Sequence, residues 1–135
     1  MSYGLNDSPT SLAAWIVEKY RRWSDCGGDV ESRFTKDELL TTVTLYWVTH
    51  SINSSTRLYY ESFSKAWNLA KDEKIQVLVA VVAFPRENTV PLRAWSERSY
   101  NVQHWTDMPA GGHFATLEEP LRLVEDIRDF FRGLR

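Results

Sequence analysis

Three residues stand where side chains do chemistry: His113 behind two glycines in PAGGHFATLEEP, Glu87 in FPRE, and Asp29 behind two further glycines in GGD. An imidazole titrates near neutrality, so a histidine held in a fixed direction can take a proton from water. Glycines tolerate backbone angles closed to other residues and mark sharp turns or close approaches. From this stretch alone, an ordinary loop histidine is the stronger reading of PAGGHF. The elements that carry these residues have to decide.

The first half of the chain is helical in pattern. Ser8-Pro9 is a helix entrance, a hydroxyl cap followed by a proline whose missing N–H is not needed at the first position. Leu12, Ala13, Ile16, Val17 and Tyr20 then recur at helical spacing, with Trp15 or Trp23 alongside, until DCGGD ends the run. Thr35 and Glu38 form a capping box. It opens a helix on which Leu39, Leu40, Val43, Tyr46 and Trp47 are expected to share a face. NSS at 53–55 is expected to break or recap it, with TRLYYESFSKAW continuing as another helix.

The period then changes. IQVLVAVVAF, 75–84, is a nearly unbroken apolar run, the habit of a parallel strand covered on both faces. Val90-Pro91 predicts a short helix over PLRAWSERS, and YNVQHWTDM a second strand. The closing LEEPLRLVEDIRDFFRGL reads as a helix with Leu121, Val124, Ile127, Phe131 and Leu134 inward. The fold class is α/β: three helices, then strand, helix, strand, helix. Functional groups in such sheets gather past the carboxyl ends of the strands. The loops there are FPRE and PAGGHF. Adjacent parallel strands bring Glu87 beside His113, and a carboxylate on one ring nitrogen fixes the tautomer and leaves the other free to act as a base.

Composition narrows the classes. The 135 residues allow one domain with a core, at 43% apolar and 25% charged. A net charge of −2 with no basic run argues against nucleic acid. The single cysteine, Cys26, allows no internal disulfide. No apolar run approaches a membrane span, and the start lacks a signal-peptide pattern, so a soluble, cytoplasmic protein is expected. Neither a metal nor another cofactor is expected. Aromatics are in excess, with six tryptophans, mostly core and a minority available to line an apolar pocket.

Taken in order, YGLNDSPTSLAAWIVEKYRRWSD, FTKDELLTTVTLYWVTHSINSSTRLYYE, AFPRE, GGHFATLEEP and DIRDFFRGL resemble the carboxyl-terminal part of epoxide hydrolases of the α/β-hydrolase fold, microsomal type. The resemblance covers nearly the whole chain. It implies a partial helical cap over 1–70 and a carboxyl-terminal hydrolase part over 71–135. In the family an aspartate opens the epoxide as an alkyl-enzyme ester, cap tyrosines assist the epoxide oxygen, and a histidine oriented by an acid activates the hydrolytic water. By position the histidine is His113, the acid Glu87 and one cap tyrosine Tyr59. Tyr60 follows it about 100° around the helix and cannot face the same oxygen. Where the family has a V-P-T-G-like stretch, this chain has VLVA at 77–80.

The family nucleophile has no counterpart. It sits on a strand-to-helix turn with a glycine two residues on. Gly27-Gly28-Asp29 follows a helical pattern, and residue 31 is a glutamate. Asp29 is therefore not expected to be a nucleophile, and the chain is expected to begin inside the family's cap and to be inactive alone. The implied ligand is a lipophilic epoxide, once an amino-terminal half completes the site. The open edge of the first strand implies a homo-oligomer or association with that half. Two other readings remain: a non-catalytic descendant that binds a hydrophobic small molecule or a protein, and a truncation product without a role.

Overall fold

A computed structural model of the chain describes residues 2–63, 69–70 and 73–134. The chain divides into two compact units, Met1–Arg22 with Cys26–Asn68, and Trp23–Asp25 with Leu69–Arg135.

In the first unit, a short helix α1 (Ser2–Asp7), not expected from the sequence, packs against α4 (Ile52–Ser62). Helix α2 (Pro9–Trp23) starts as its cap dictates, Ser11 N donating to the Ser8 hydroxyl at 3.2 Å. Leu12, Ile16 and Tyr20, spaced by four, are its buried face. Gly27 and Gly28, at φ of 59° and 93°, then turn the chain into a 3-10 turn at Val30–Ser32. The Tyr20 ring meets Phe34 edge-on at 4.9 Å.

Helix α3 (Lys36–Val48) carries the expected capping box: Glu38 N donates to Thr35 Oγ1 at 3.2 Å, and Thr35 N to Glu38 Oε2 at 2.8 Å. Leu39 and Val43 are buried, but Leu40 is exposed and leaves the expected face. The break between α3 and α4 also differs from expectation. It falls at 49–51, where His50 takes φ of 51°, and Asn53, Ser54 and Ser55 lie inside α4. The reason is local. Ser54 donates to the Ser51 carbonyl at 2.8 Å, so these short polar residues occupy the first helical turn instead of interrupting it. The expected extension over 64–67 lies outside the described residues.

In the second unit, β1 (Ile75–Ala83) and β2 (Tyr100–Asp107) form a two-stranded parallel sheet, with Val79 opposite Val102 and Ala83 opposite Asp107. The register is irregular between Ile75 and Leu78 and between Val79 and Ala80, across the VLVA stretch. Coverage on both faces, as the apolar run predicted, is not found: Val77 is 68% exposed and only Ala83 is buried. Two strands leave an edge of each open, and covering both faces of β1 requires more neighbours than the described residues supply. Helix α5 (Arg93–Ser99) starts two residues after Pro91, because Leu92 remains extended.

The single closing helix expected from the sequence is split into α6 (Ala115–Glu118) and α7 (Pro120–Arg132). Pro120 lacks an N–H and clashes with a preceding turn, so it ends one helix and begins the next. The apolar stripe of α7 is not inward. Leu121 is 79% exposed, and Val124, Ile127, Phe131 and Leu134 are exposed too. Asp126 is the buried position instead. Its Oδ1 lies 2.8 Å from His104 Nε2 and accepts the Thr106 hydroxyl, so a polar clasp to β2 sets which face of α7 meets the sheet. Among the described residues no helix is long and apolar enough to cross a membrane.

The capping box gives a direct test. Thr35→Ala is expected to destabilise the first unit by about 1 kcal/mol in urea titrations. The Thr35 backbone and hydroxyl donors hold the Glu38 carboxyl below its ordinary value of 4.5. That contribution is present above the ordinary value and is lost as the pH falls through the lowered one. The stability gap between wild type and Glu38→Ala should therefore appear at neutral pH and close in acid.

Candidate active site

The sheet pairing continues beyond the strands and so brings two loops together. Met108 N donates to Ala83 O at 2.8 Å, Arg86 N to Gly111 O at 3.1 Å, and Arg86 and Gly112 form a further parallel bridge. Glu87 and His113 follow directly on these anchored residues. His113 Nδ1 lies 2.8 Å from Glu87 Oε1, with the two side chains 42% and 31% exposed. The register irregularity in VLVA does not prevent this contact.

The glycines have separate reasons. Gly111 takes φ of 102°, and a β-carbon there would stand 2.8 Å from the Phe84 ring. Gly112 has no such angle, but a β-carbon would lie 2.6 Å from the Trp23 carbonyl oxygen. That close approach lets His113 N donate to Trp23 O at 2.9 Å. The imidazole then stands edge-on to Trp23 at 5.1 Å and to Phe114 at 5.2 Å. Among the described residues Nε2 has no hydrogen-bond partner. Such an arrangement can serve chemically as an oriented base. With the ring proton on Nδ1 and donated to the carboxylate, the Nε2 lone pair is open to a proton, and a carboxylate at this distance stabilises the imidazolium that would result.

Of the residues expected at the site, His113 and Glu87 are thus brought together. Tyr59 belongs to the first unit, on α4, and is 68% exposed, with Tyr60 more so. Asp29 is occupied otherwise: it follows a helix and caps the 3-10 turn, accepting Glu31 N at 3.2 Å. Trp23 was missed as a site residue. Its contribution includes a backbone carbonyl, which no residue type announces.

No family model matches the chain. Among curated proteins, it is 41% identical over 135 residues to epoxide hydrolase 1 of Sus scrofa, covering 93% of this chain and 30% of that protein. It is 40% identical over 132 residues to juvenile hormone epoxide hydrolase 2 of Ctenocephalides felis, covering 91% and 28%. Among solved structures, juvenile hormone epoxide hydrolase from the silkworm Bombyx mori matches 98% of the chain with a TM-score of 0.85 at 30% identity, over 34% of its own length. Aspergillus niger epoxide hydrolase matches 99% with a TM-score of 0.70 at 28% identity, over 32% of its length. The chain spans about 30% of the length of the curated relatives it matches. Likeness of sequence and of backbone, spread over nearly every residue, makes the chain a homologue of the carboxyl-terminal part of epoxide hydrolases of the α/β-hydrolase fold.

Proposed function

We propose that this chain supplies the water-activating part of epoxide hydrolysis, with a nucleophilic carboxylate coming from outside these 135 residues. The observation that carries the proposal is the 2.8 Å contact between His113 Nδ1 and Glu87, which leaves Nε2 open. The outside carboxylate opens the epoxide ring and forms an alkyl ester. His113 Nε2 takes a proton from water as its oxygen attacks the ester carbonyl. The ester C–O bond breaks, the departing oxygen takes the acyl group's new proton so that the carboxylate is restored, and the imidazolium gives its proton to the oxygen freed by ring opening, which completes the diol. Glu87 fixes the tautomer and balances the charge on the ring. Tyr59, on a segment 1–70 acting as part of a cap, donates a hydrogen bond to the epoxide oxygen. The abundance of apolar and aromatic side chains suits a lipophilic epoxide.

A second reading, in which the chain binds a hydrophobic small molecule or a protein without catalysis, has one observation in its favour. Leu40, Leu45 and Val48 line an open groove along α3 together with Asp37, Thr41 and Thr44.

Mixing experiments separate the two. The chain alone should give neither ester nor diol from a styrene-oxide-type substrate above the buffer rate, since Asp29 is a cap. Combined with the nucleophile-bearing amino-terminal part of a relative, it should form diol. In that mixture His113→Gln should slow diol release by about 10²–10⁴-fold, with the ester accumulating and visible by mass spectrometry. Unchanged diol release in that variant would remove His113 from the mechanism.

The proposal extends to association. The open edge of β1 is a pairing template without charges or prolines before Pro85. The chain should therefore self-associate, or bind the amino-terminal part, at micromolar concentration, and Val79→Lys should weaken this because burying an unpaired charge is costly. Light scattering that finds a dilution-stable monomer, unaffected by the amino-terminal part, would sink this expectation.

A further inference from the structure

Glu118 closes α6 and is only 8% exposed. A carboxylate in such a place is costly unless its oxygens are hydrogen-bonded. Each oxygen here takes one backbone amide: Oε2 accepts Asp25 N at 2.7 Å, and Oε1 accepts Phe114 N at 3.0 Å. Asp25 reaches back in the opposite direction. Its Oδ2 accepts Gly111 N at 3.1 Å, while Oδ1 stands 3.7 Å from Arg86 Nε. With the Trp23 carbonyl on His113 N, three amides around the histidine are tied to one small frame: Gly111 to Asp25, His113 to Trp23, and Phe114 to Glu118.

We infer that Glu118 is a positioning residue for His113, which together with Asp25 clasps segment 23–25 to the histidine loop and so fixes the direction of the imidazole. The inference rests on the proposed role of the His113–Glu87 pair. Glu118 touches neither ring nor substrate; it acts on the Phe114 amide that follows the histidine and on the Asp25 amide of the facing segment. Bonds to a charged acceptor are stronger than neutral ones, which suits a carboxylate to a task that two neutral amide acceptors would do less firmly. Gln in its place retains one acceptor oxygen but sets an NH2 group against the other backbone N–H, leaving a buried donor unsatisfied.

The chain has three histidines, so its imidazole spectrum is simple enough to read without any activity. Long-range proton–nitrogen correlation above the imidazole titration range should find wild-type His113 as the Nδ1–H tautomer. In Glu118→Gln it should move toward the mixed tautomers of a free imidazole, while His50 and His104 stay unchanged. His104, held by Asp126 in the same unit, reports that the unit is folded. Should Glu118→Gln fail to fold, Asp25→Asn decides, with the same shift at His113 expected. Retention of the wild-type His113 tautomer in the folded variant would overturn the inference. So would a shift of all three histidines together, which would make Glu118 a general stabiliser. A wild-type chain without the Nδ1–H tautomer would instead overturn the pairing with Glu87 itself, leaving Glu118 nothing to hold.

Discussion

At Gly112 the backbone comes so near the Trp23 carbonyl that a β-carbon would stand 2.6 Å from its oxygen. The site follows from that contact. It lets the His113 amide reach Trp23, sets the imidazole edge-on to the indole, and places Nδ1 opposite Glu87. Any side chain at position 112 would force the two backbones apart and take the histidine with them. A neutral backbone hydrogen bond contributes only about 0.5–1.5 kcal/mol. The loop is therefore held by several such bonds acting together and by the Phe84 ring behind Gly111, not by one strong link.

Two carboxylates of the second unit are buried among the described residues, and they are satisfied differently. Glu118 gives one oxygen to each of two backbone amides. Asp126 concentrates its contacts on Oδ1, shared by His104 and Thr106, while buried Oδ2 has no partner among the described residues. Buried polar atoms are nearly always paired, so the arrangement of Asp126 is the less complete of the two. Polar contacts thus decide how α7 lies, against what its apolar stripe alone would dictate.

Much of the frame was legible in the sequence because its signals are local. The Ser8 and Thr35 caps, the glycines at 27 and 28, and the change of period at β1 each depend on a few neighbouring residues. The loop pairing of Glu87 with His113 followed from the rule that parallel strands align their carboxyl ends. What sequence did not reveal is burial. The stripe from Leu121 to Leu134 has the spacing of a core face, yet periodicity says only that one side differs from the other, not which side meets the sheet. The inward side was set by Asp126, whose partners lie on β2. Nor did 53–55 interrupt a helix, since the same short polar residues serve as first-turn residues.

The parallel pair has a consequence for the order in which the second unit comes together. Glu87 and His113 are 26 residues apart, whereas Asp25 and Glu118 are separated by 93. Loop-closure entropy grows only with the logarithm of length: the length-dependent part is about 3 kcal/mol for the shorter loop and about 1 kcal/mol more for the longer. The penalty differs little, but the search does not, because contacts of high sequence separation form slowly. The histidine and its carboxylate can meet as soon as the two strands pair. Their fixed direction waits for a segment laid down almost a hundred residues earlier to return and close over them.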